Sequence, residues 1–235
     1  MIPHSSELPQ RAMKSVATCP RSWRASTSIL LMAAVGLLGG CALPDKPTRG
    51  TLYDFGPGAL SAAPASRQTL PPIAIDTIST SGGALDNMSV LYRLGYADAQ
   101  QLRPYAQARW SMPPAQLVRQ RLREQLNQRR AVFNAREGVA LNRSQGDALP
   151  LLLRLELEEF SQFFTAPEAS VGLIRLRATL LEITPGGEKL VGQRNVVVQR
   201  PAPSADASGG VRALTAATDA AIEELDQWLQ QTPGS

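Results

Sequence analysis

"ASVGLIRLRATLLEITPGGEKLVGQRNVVVQRP", residues 169–201, reads as two long extended segments joined by a turn. Between Leu173 and Leu180 the residue types alternate. Leu173, Arg175, Arg177 and Thr179 fall on one side of an extended chain, and Ile174, Leu176, Ala178 and Leu180 on the other. Successive strand side chains point to opposite faces, so this period of two predicts one apolar and one mixed face. "TPGGE" at 184–188 supplies the proline and glycines of a hairpin turn. The preceding "PLLLRLELEEFSQFF", residues 150–164, extends the pair to a meander of long antiparallel strands. Such a sheet needs cover on its apolar face, and helices are the usual cover.

Two segments fit that need. In "SADASGGVRALTAATDAAIEELDQWLQQ", residues 204–231, Val211, Leu214, Thr218, Ala221, Ile222, Leu225, Trp228 and Leu229 share one face of a long amphipathic helix. In "SMPPAQLVRQRLREQLNQRR", residues 111–130, Leu117 or Val118, Leu122 and Leu126 form a second stripe. Pro113 and Pro114 are tolerable only in its opening turn, and Ser111 is a candidate cap. Arg119, Arg123 and Arg130 fall off that stripe and read first as a solvated face, with anionic headgroups or an acidic partner as the sharper alternative. Short extended segments precede this helix at "TLYDFGPG", "IAIDTIS", "SVLYRLGY" and "QLRPYAQARW", and "AVFN" follows it. The expected fold is α+β: a largely antiparallel sheet with two main helices packed on one face.

The first forty residues have a different logic. Ile29 to Gly40 is uncharged, rich in Leu, Ala and Gly, and preceded by Arg11, Lys14, Arg21 and Arg24. It is shorter than the roughly 20 apolar residues of a membrane span. A basic n-region, a short apolar h-region and small residues before a break describe an export signal, with Met13 an alternative start. Leu38, Gly39, Gly40 and Cys41 resemble the bacterial lipobox, in which the cysteine thiol is acylated and becomes the first mature residue. The expected organisation is a signal peptide at 1–40, a lipidated Pro-rich tether at 41–50 and one domain at 51–235.

Removing the signal changes what the composition permits. It holds four of the 24 basic residues and one of the 20 acidic ones, so a pI near 9.4 belongs largely to the discarded peptide and gives no argument for nucleic acid. It also takes the single histidine, His4, and Cys19. A mature chain without histidine, its remaining cysteine acylated, lacks Ser-His-Asp and Cys-His machinery and the usual zinc sets. Lys46 sits in the tether and Lys189 beside the hairpin, neither placed as a catalytic base. Glu156 and Glu158 alternate with Leu155 and Leu157 and read as solvated strand surface. A cofactor is not expected.

Several motifs then occur in a fixed order: the lipobox, "LYDFGP" at 52–57, "LDNMSVLYR" at 85–93, "LRPYAQARWSMPPAQLV" at 102–118, and "LRLELEEFSQFF" at 153–164. The chain resembles the ABC-type transport auxiliary lipoprotein family, also described as PqiC-like, over essentially its whole mature length. The specific pieces are Leu85 with Asp86, Tyr92 with Arg93, and Arg109, Trp110, Pro113 and Pro114. The resemblance implies a non-enzymatic adaptor. It would be held in the outer membrane by acyl chains on Cys41, face the periplasm, and work beside an MCE-domain protein and inner-membrane transporter components in lipid transport. Ala42, standing where aspartate would favour inner-membrane retention, fits that placement. Self-association stays open.

Arg109, Trp110, Pro113, Pro114, Tyr92 and Arg93 are the candidate partner-binding residues, since Trp and Arg are enriched in interface hot spots. The architectural alternative has Trp110 packing a strand end on a helix start, and Arg93 pairing with Asp86. Two other functions stay open: a lipid carrier, which needs an apolar cavity between sheet and helices, and a cell-wall-binding protein, which needs a cleft of convergent carboxylates.

Overall fold

The computed structural model describes residues 50–58, 70–137 and 149–232. Every described residue belongs to one compact unit, Arg49–Ser235. The expected signal peptide, Cys41 and the tether up to residue 49 lie outside the described residues.

The meander forms as the alternation requires. Strands β7 (Leu151–Ala166), β8 (Ala169–Thr184) and β9 (Gly187–Pro201) pair antiparallel in sequence order. Ile174, Leu176, Ala178 and Leu180 are fully buried while Arg175 and Arg177 are exposed. Gly187, which opens β9, has φ +119°, a backbone state that an L side chain rarely adopts.

The alternation breaks within β7 at Glu158, and the register shifts again between Phe164 and Ala166 and, in the β8–β9 pair, at Leu180/Leu181. The register passes from Leu157 opposite Leu176 to Glu159 opposite Arg175, so Glu158 is the extra residue of a β-bulge. An unbroken strand would turn Phe160 to the face of Glu156. The bulge instead sends Phe160 after Leu155 and Leu157 into the core, where it is 1% exposed.

The other edge of β7 is shared along its length by three short parallel strands: β2 (Ile73–Ile75), β3 (Ser79–Thr80) and β4 (Ser89–Leu94). Beyond β4 lies β5 (Ala99–Trp110), antiparallel to it, then β1 (Thr51–Tyr53), parallel to β5; β6 (Val132–Asn134) pairs parallel with β2. The sheet of nine strands is therefore mixed, with antiparallel pairing in its long strands and parallel pairing in most of its short ones. A 3-10 turn at Gly83–Leu85 stands in "TSGGALDN", which interrupts the extended segments, and a helical turn, α1 (Gly95–Asp98), stands near the expected join at Ala97–Ala99.

Helices α2 (Pro114–Leu126) and α3 (Ala207–Gln231) carry the two expected stripes. Pro113 takes the N-cap position of α2 without a side-chain cap, and Ser111 is not the cap: its N–H donates to the Tyr53 carbonyl at 2.7 Å. Asp206 caps α3 by accepting from the Gly209 N–H at 2.7 Å. Close approach of α3 to β8 depends on Gly172, where a Cβ would lie 2.4 Å from the backbone of Ala213 and Leu214.

Leu117, Val118, Leu122 and Leu126 of α2 join Val211, Leu214, Ile222, Leu225 and Leu229 of α3 and the inner sheet face in one core cluster. Trp228 packs against it, partly buried. Arg130 departs from the solvated reading. Its side chain is 0% exposed and lies 3.4 Å from Asp226 of α3. Burial lowers its pKa, Asp226 opposing that shift.

Candidate functional site

The six sequence-chosen residues do not form one surface, and the reason is the alternation of β4 and β5. Trp110 ends β5, where its N–H donates to the Met88 carbonyl at 2.7 Å and its side chain points inward. Its ring meets Phe55 edge-on at 5.6 Å and Phe160 at 5.6 Å, and it is 0% exposed. Pro114 is also buried and Pro113 half-buried. Trp110 and Pro114 therefore have no surface to offer a partner and act from beneath, fixing the β5–α2 corner.

Arg109, one residue earlier, faces out and donates to Ser89 Oγ at 2.7 Å. Tyr92 and Arg93 leave β4 on opposite faces. The Tyr92 ring lies 4.6 Å from Tyr105 and 6.0 Å from Phe164. The Tyr105 hydroxyl donates to Gln162 Oε1 at 2.7 Å, and Gln162 Nε2 donates to Ser170 Oγ at 2.8 Å. Burial first, then the neighbouring Tyr92 and Asp206, raises the Tyr105 pKa, so its phenol remains a donor at any physiological pH.

Arg93 grips Glu159 with Nε at 3.3 Å and Nη2 at 3.0 Å, and its Nη1 donates to the Ala99 and Gln100 carbonyls. The pairing expected with Asp86 is not made; Asp86 accepts from Thr80 Oγ1 instead. The bulge helps explain this, since it sets the positions of Glu158 and Glu159 on the face reached by Arg93.

The carboxylates on β7 are engaged as well. Arg177 Nη1 lies 3.3 Å from Glu156 and its Nη2 bonds Glu158, while Lys189 pairs with Glu182 at 2.9 Å. Among the described residues no group of His, Cys, Asp and Glu is gathered as a metal would require, and no helix is long and apolar enough to cross a membrane.

Clefts open along both flanks of α2. The inner one, about 850 Å³, lies between α2 and α3 and is lined by Arg121, Glu124, Arg129, Asp219 and Asp226 among others. Two of its three arginines have acidic partners, Arg121 with Asp219 at 3.0 Å and Arg129 with Asp226 at 3.6 Å, while Arg200 Nη1 donates to the Gln199 carbonyl at 3.2 Å. Arg121 Nη2 also donates to the Phe55 carbonyl at 2.6 Å. Burial raises the Asp219 pKa against the pull of Arg121, with Glu124 adding to the rise.

The outer cleft, about 620 Å³, runs along the other flank of α2. Ile78, Met112 and Ala115 give it an apolar lining, with Arg119 and Arg123 beside them. Both guanidinium groups converge on Asn134 of β6, Arg119 Nη2 donating to Oδ1 at 2.7 Å and Arg123 Nη1 to the same oxygen. Sequence reading found the two arginines through their spacing on one helix face, but not Asn134, whose part is set by chain folding.

A scan against family models matches residues 53–225 to the ABC-type transport auxiliary lipoprotein component. Nothing among curated proteins matches. A solved protein from Xanthomonas campestris, described as DUF330, superposes with a TM-score of 0.59 at 17% identity, covering 76% of this chain and 94% of its own. A second, titled only as uncharacterized, gives 0.53 at 12% identity, covering 77% and 99%. At such identities these two show a shared fold. The family match spans β1 to the late turns of α3 and takes in every candidate residue discussed above except Cys41. The chain belongs to the ABC-type transport auxiliary lipoprotein family.

Proposed function

We propose that this chain is a non-enzymatic adaptor of an MCE-type lipid transport system, held in the outer membrane by acyl chains on Cys41 and facing the periplasm. The family match over residues 53–225 carries the reading. Its partners are an MCE-domain protein and, through it, inner-membrane transporter components. The packing is in keeping with this role. The space between sheet and helices is filled by Trp110, Phe160, Leu122 and Leu126, each 1% exposed or less, and their buried neighbours, which leaves the lipid-carrier alternative without support. Glu156 and Glu158 are occupied by Arg177, which leaves them unsuited to the convergent-carboxylate cleft that a cell-wall-binding protein would need.

Of the candidate partner-facing residues, Arg109 is exposed, Tyr92 and Arg93 are half-buried, and the buried Trp110 and Pro114 support them. Stable attachment requires more than one acyl chain, because a single one binds a bilayer marginally.

The test is envelope fractionation with metabolic acyl labelling. The full chain should co-sediment with outer-membrane markers and carry label, and Cys41→Ala should lose both. Deleting the gene should raise permeability to detergents, restored by the parent chain and not by Cys41→Ala. An unlabelled protein in the soluble fraction would end the anchored-adaptor reading.

A further inference from the structure

We propose that the outer cleft along α2 is a docking groove for an acidic segment of a partner protein, its carboxylates received by Arg119 and Arg123. The argument begins with charge. Arg119 and Arg123 stand one helical turn apart, and both donate to the single Oδ1 of Asn134. That oxygen is a neutral amide acceptor, whereas guanidinium groups bond about twice as strongly to an ionised oxygen. Neither arginine is in an ion pair with a carboxylate among the described residues. Arg119 Nε is buried without an acceptor.

An acid stands behind Asn134. Glu137 accepts from the Asn134 N–H at 2.7 Å and from its Nδ2 at 2.9 Å, so Asn134 stands between the two cations and this anion. The Glu137 pKa is lowered first by those two bonds and then by Arg123 and Arg119. Its field reaches the arginines, but its oxygens are committed elsewhere. In the inner cleft, by contrast, Arg121 of α2 and Arg129 of the turn that follows it each have a carboxylate. The arginine of α2 that lines the inner cleft is matched by a carboxylate, and among the described residues the two that line the outer cleft are not.

The apolar lining selects the occupant. The 13 residues of α2 extend along roughly 20 Å at 1.5 Å per residue, long enough for an extended segment of several residues. Ile78, Met112 and Ala115 offer room for one or two apolar side chains and too little surface for acyl chains. A peptide that places acidic residues beside a leucine-like residue matches both halves. Glu124 lines the groove too, but it is held by Gln120 Nε2 at 3.0 Å and by Arg121 at 3.6 Å.

The inference shares with the adaptor reading the need for a protein partner. Its test uses a synthetic probe, so a failure here leaves partner capture untouched, and failed capture leaves the groove standing. The full chain in detergent micelles is titrated against fluorescein-labelled acetyl-Glu-Leu-Glu-Glu-Leu-Glu and its lysine counterpart, with anisotropy as readout. Saturable binding of the glutamate peptide alone is expected, weakening as salt shortens the range of the charges. The double variant Arg119→Gln/Arg123→Gln should bind at least about tenfold more weakly. Asn134→Asp, which keeps both arginines but gives them a resident carboxylate, should weaken binding similarly, and Arg175→Gln on the sheet should not. Circular dichroism checks that each variant is folded. Equal binding by the folded double variant, no saturation below about 1 mM, or retention on phosphatidylglycerol vesicles through these arginines without peptide binding would overturn the proposal.

Discussion

Replacing Trp110 with alanine separates an architectural role from a docking role. The side chain is 0% exposed and sits between Phe55 and Phe160, each ring centroid 5.6 Å away. An indole of this kind buries roughly 200 Å², which at about 25 cal/mol per Å² corresponds to some 5 kcal/mol as an upper figure. Alanine keeps a little of that surface, and the cavity left at the β5–α2 corner adds a cost, so the expected loss is about 3–5 kcal/mol. At about 2–4 °C per kcal/mol for a domain of this size, Tm should fall by roughly 6–20 °C. Trp110→Phe should recover part of it. The assay is urea unfolding followed by far-ultraviolet circular dichroism, since tryptophan emission would change with the substitution itself. Any loss of partner binding should track the unfolded fraction. A variant that keeps its stability within 1 kcal/mol while losing a partner would refute the packing argument.

Three further outcomes follow from particular contacts. Gly172→Ala should cost about 3 kcal/mol, because its Cβ would meet the α3 backbone at 2.4 Å; an unchanged unfolding midpoint would show that α3 can shift without penalty. Asp206→Ala should cost about 1 kcal/mol at pH 7 through loss of the α3 cap. The Asp206 carboxyl is held below its ordinary value chiefly by the Gly209 N–H and then by Ser204, so its contribution is present above the unfolded-chain pKa and lost as pH falls through the folded one. The gap between wild type and Asp206→Ala should therefore close on acidification, and a gap independent of pH down to the acid transition would contradict the assignment. A double-mutant cycle on Arg93→Met and Glu159→Gln should give a coupling of about 1 kcal/mol, less in high salt; a coupling near zero would mean that the fork geometry contributes nothing.

The meander was legible because its signal is local. Leu173 to Leu180 alternate without interruption, and the Pro-Gly-Gly turn fixes where the chain reverses. The bulge at Glu158 was not, because one inserted residue leaves no compositional mark and shows only when Phe160 has to find the core. The parallel pairings of β2, β3 and β4 along β7 escaped for a related reason: strands of two to six residues are placed by tertiary packing, with too few side chains for a period to register. Arg130 looked like a surface residue because its burial depends on Asp226, 96 positions away. The candidate site divided in the same manner. Arg109 and Trp110 are neighbours in sequence, and strand alternation sends one to solvent and the other to the core. Tyr105 and Gln162, which hold Tyr92 in place, were absent from the sequence reading because their bond spans 57 positions.

The central claim is the adaptor role, and affinity capture of the acylated full chain from crosslinked envelopes tests it most directly. Mass spectrometry should recover an MCE-domain protein with the parent chain and lose it with Cys41→Ala, which has no anchor. Recovery of no transport component, despite native expression and intact acylation, would contradict the account.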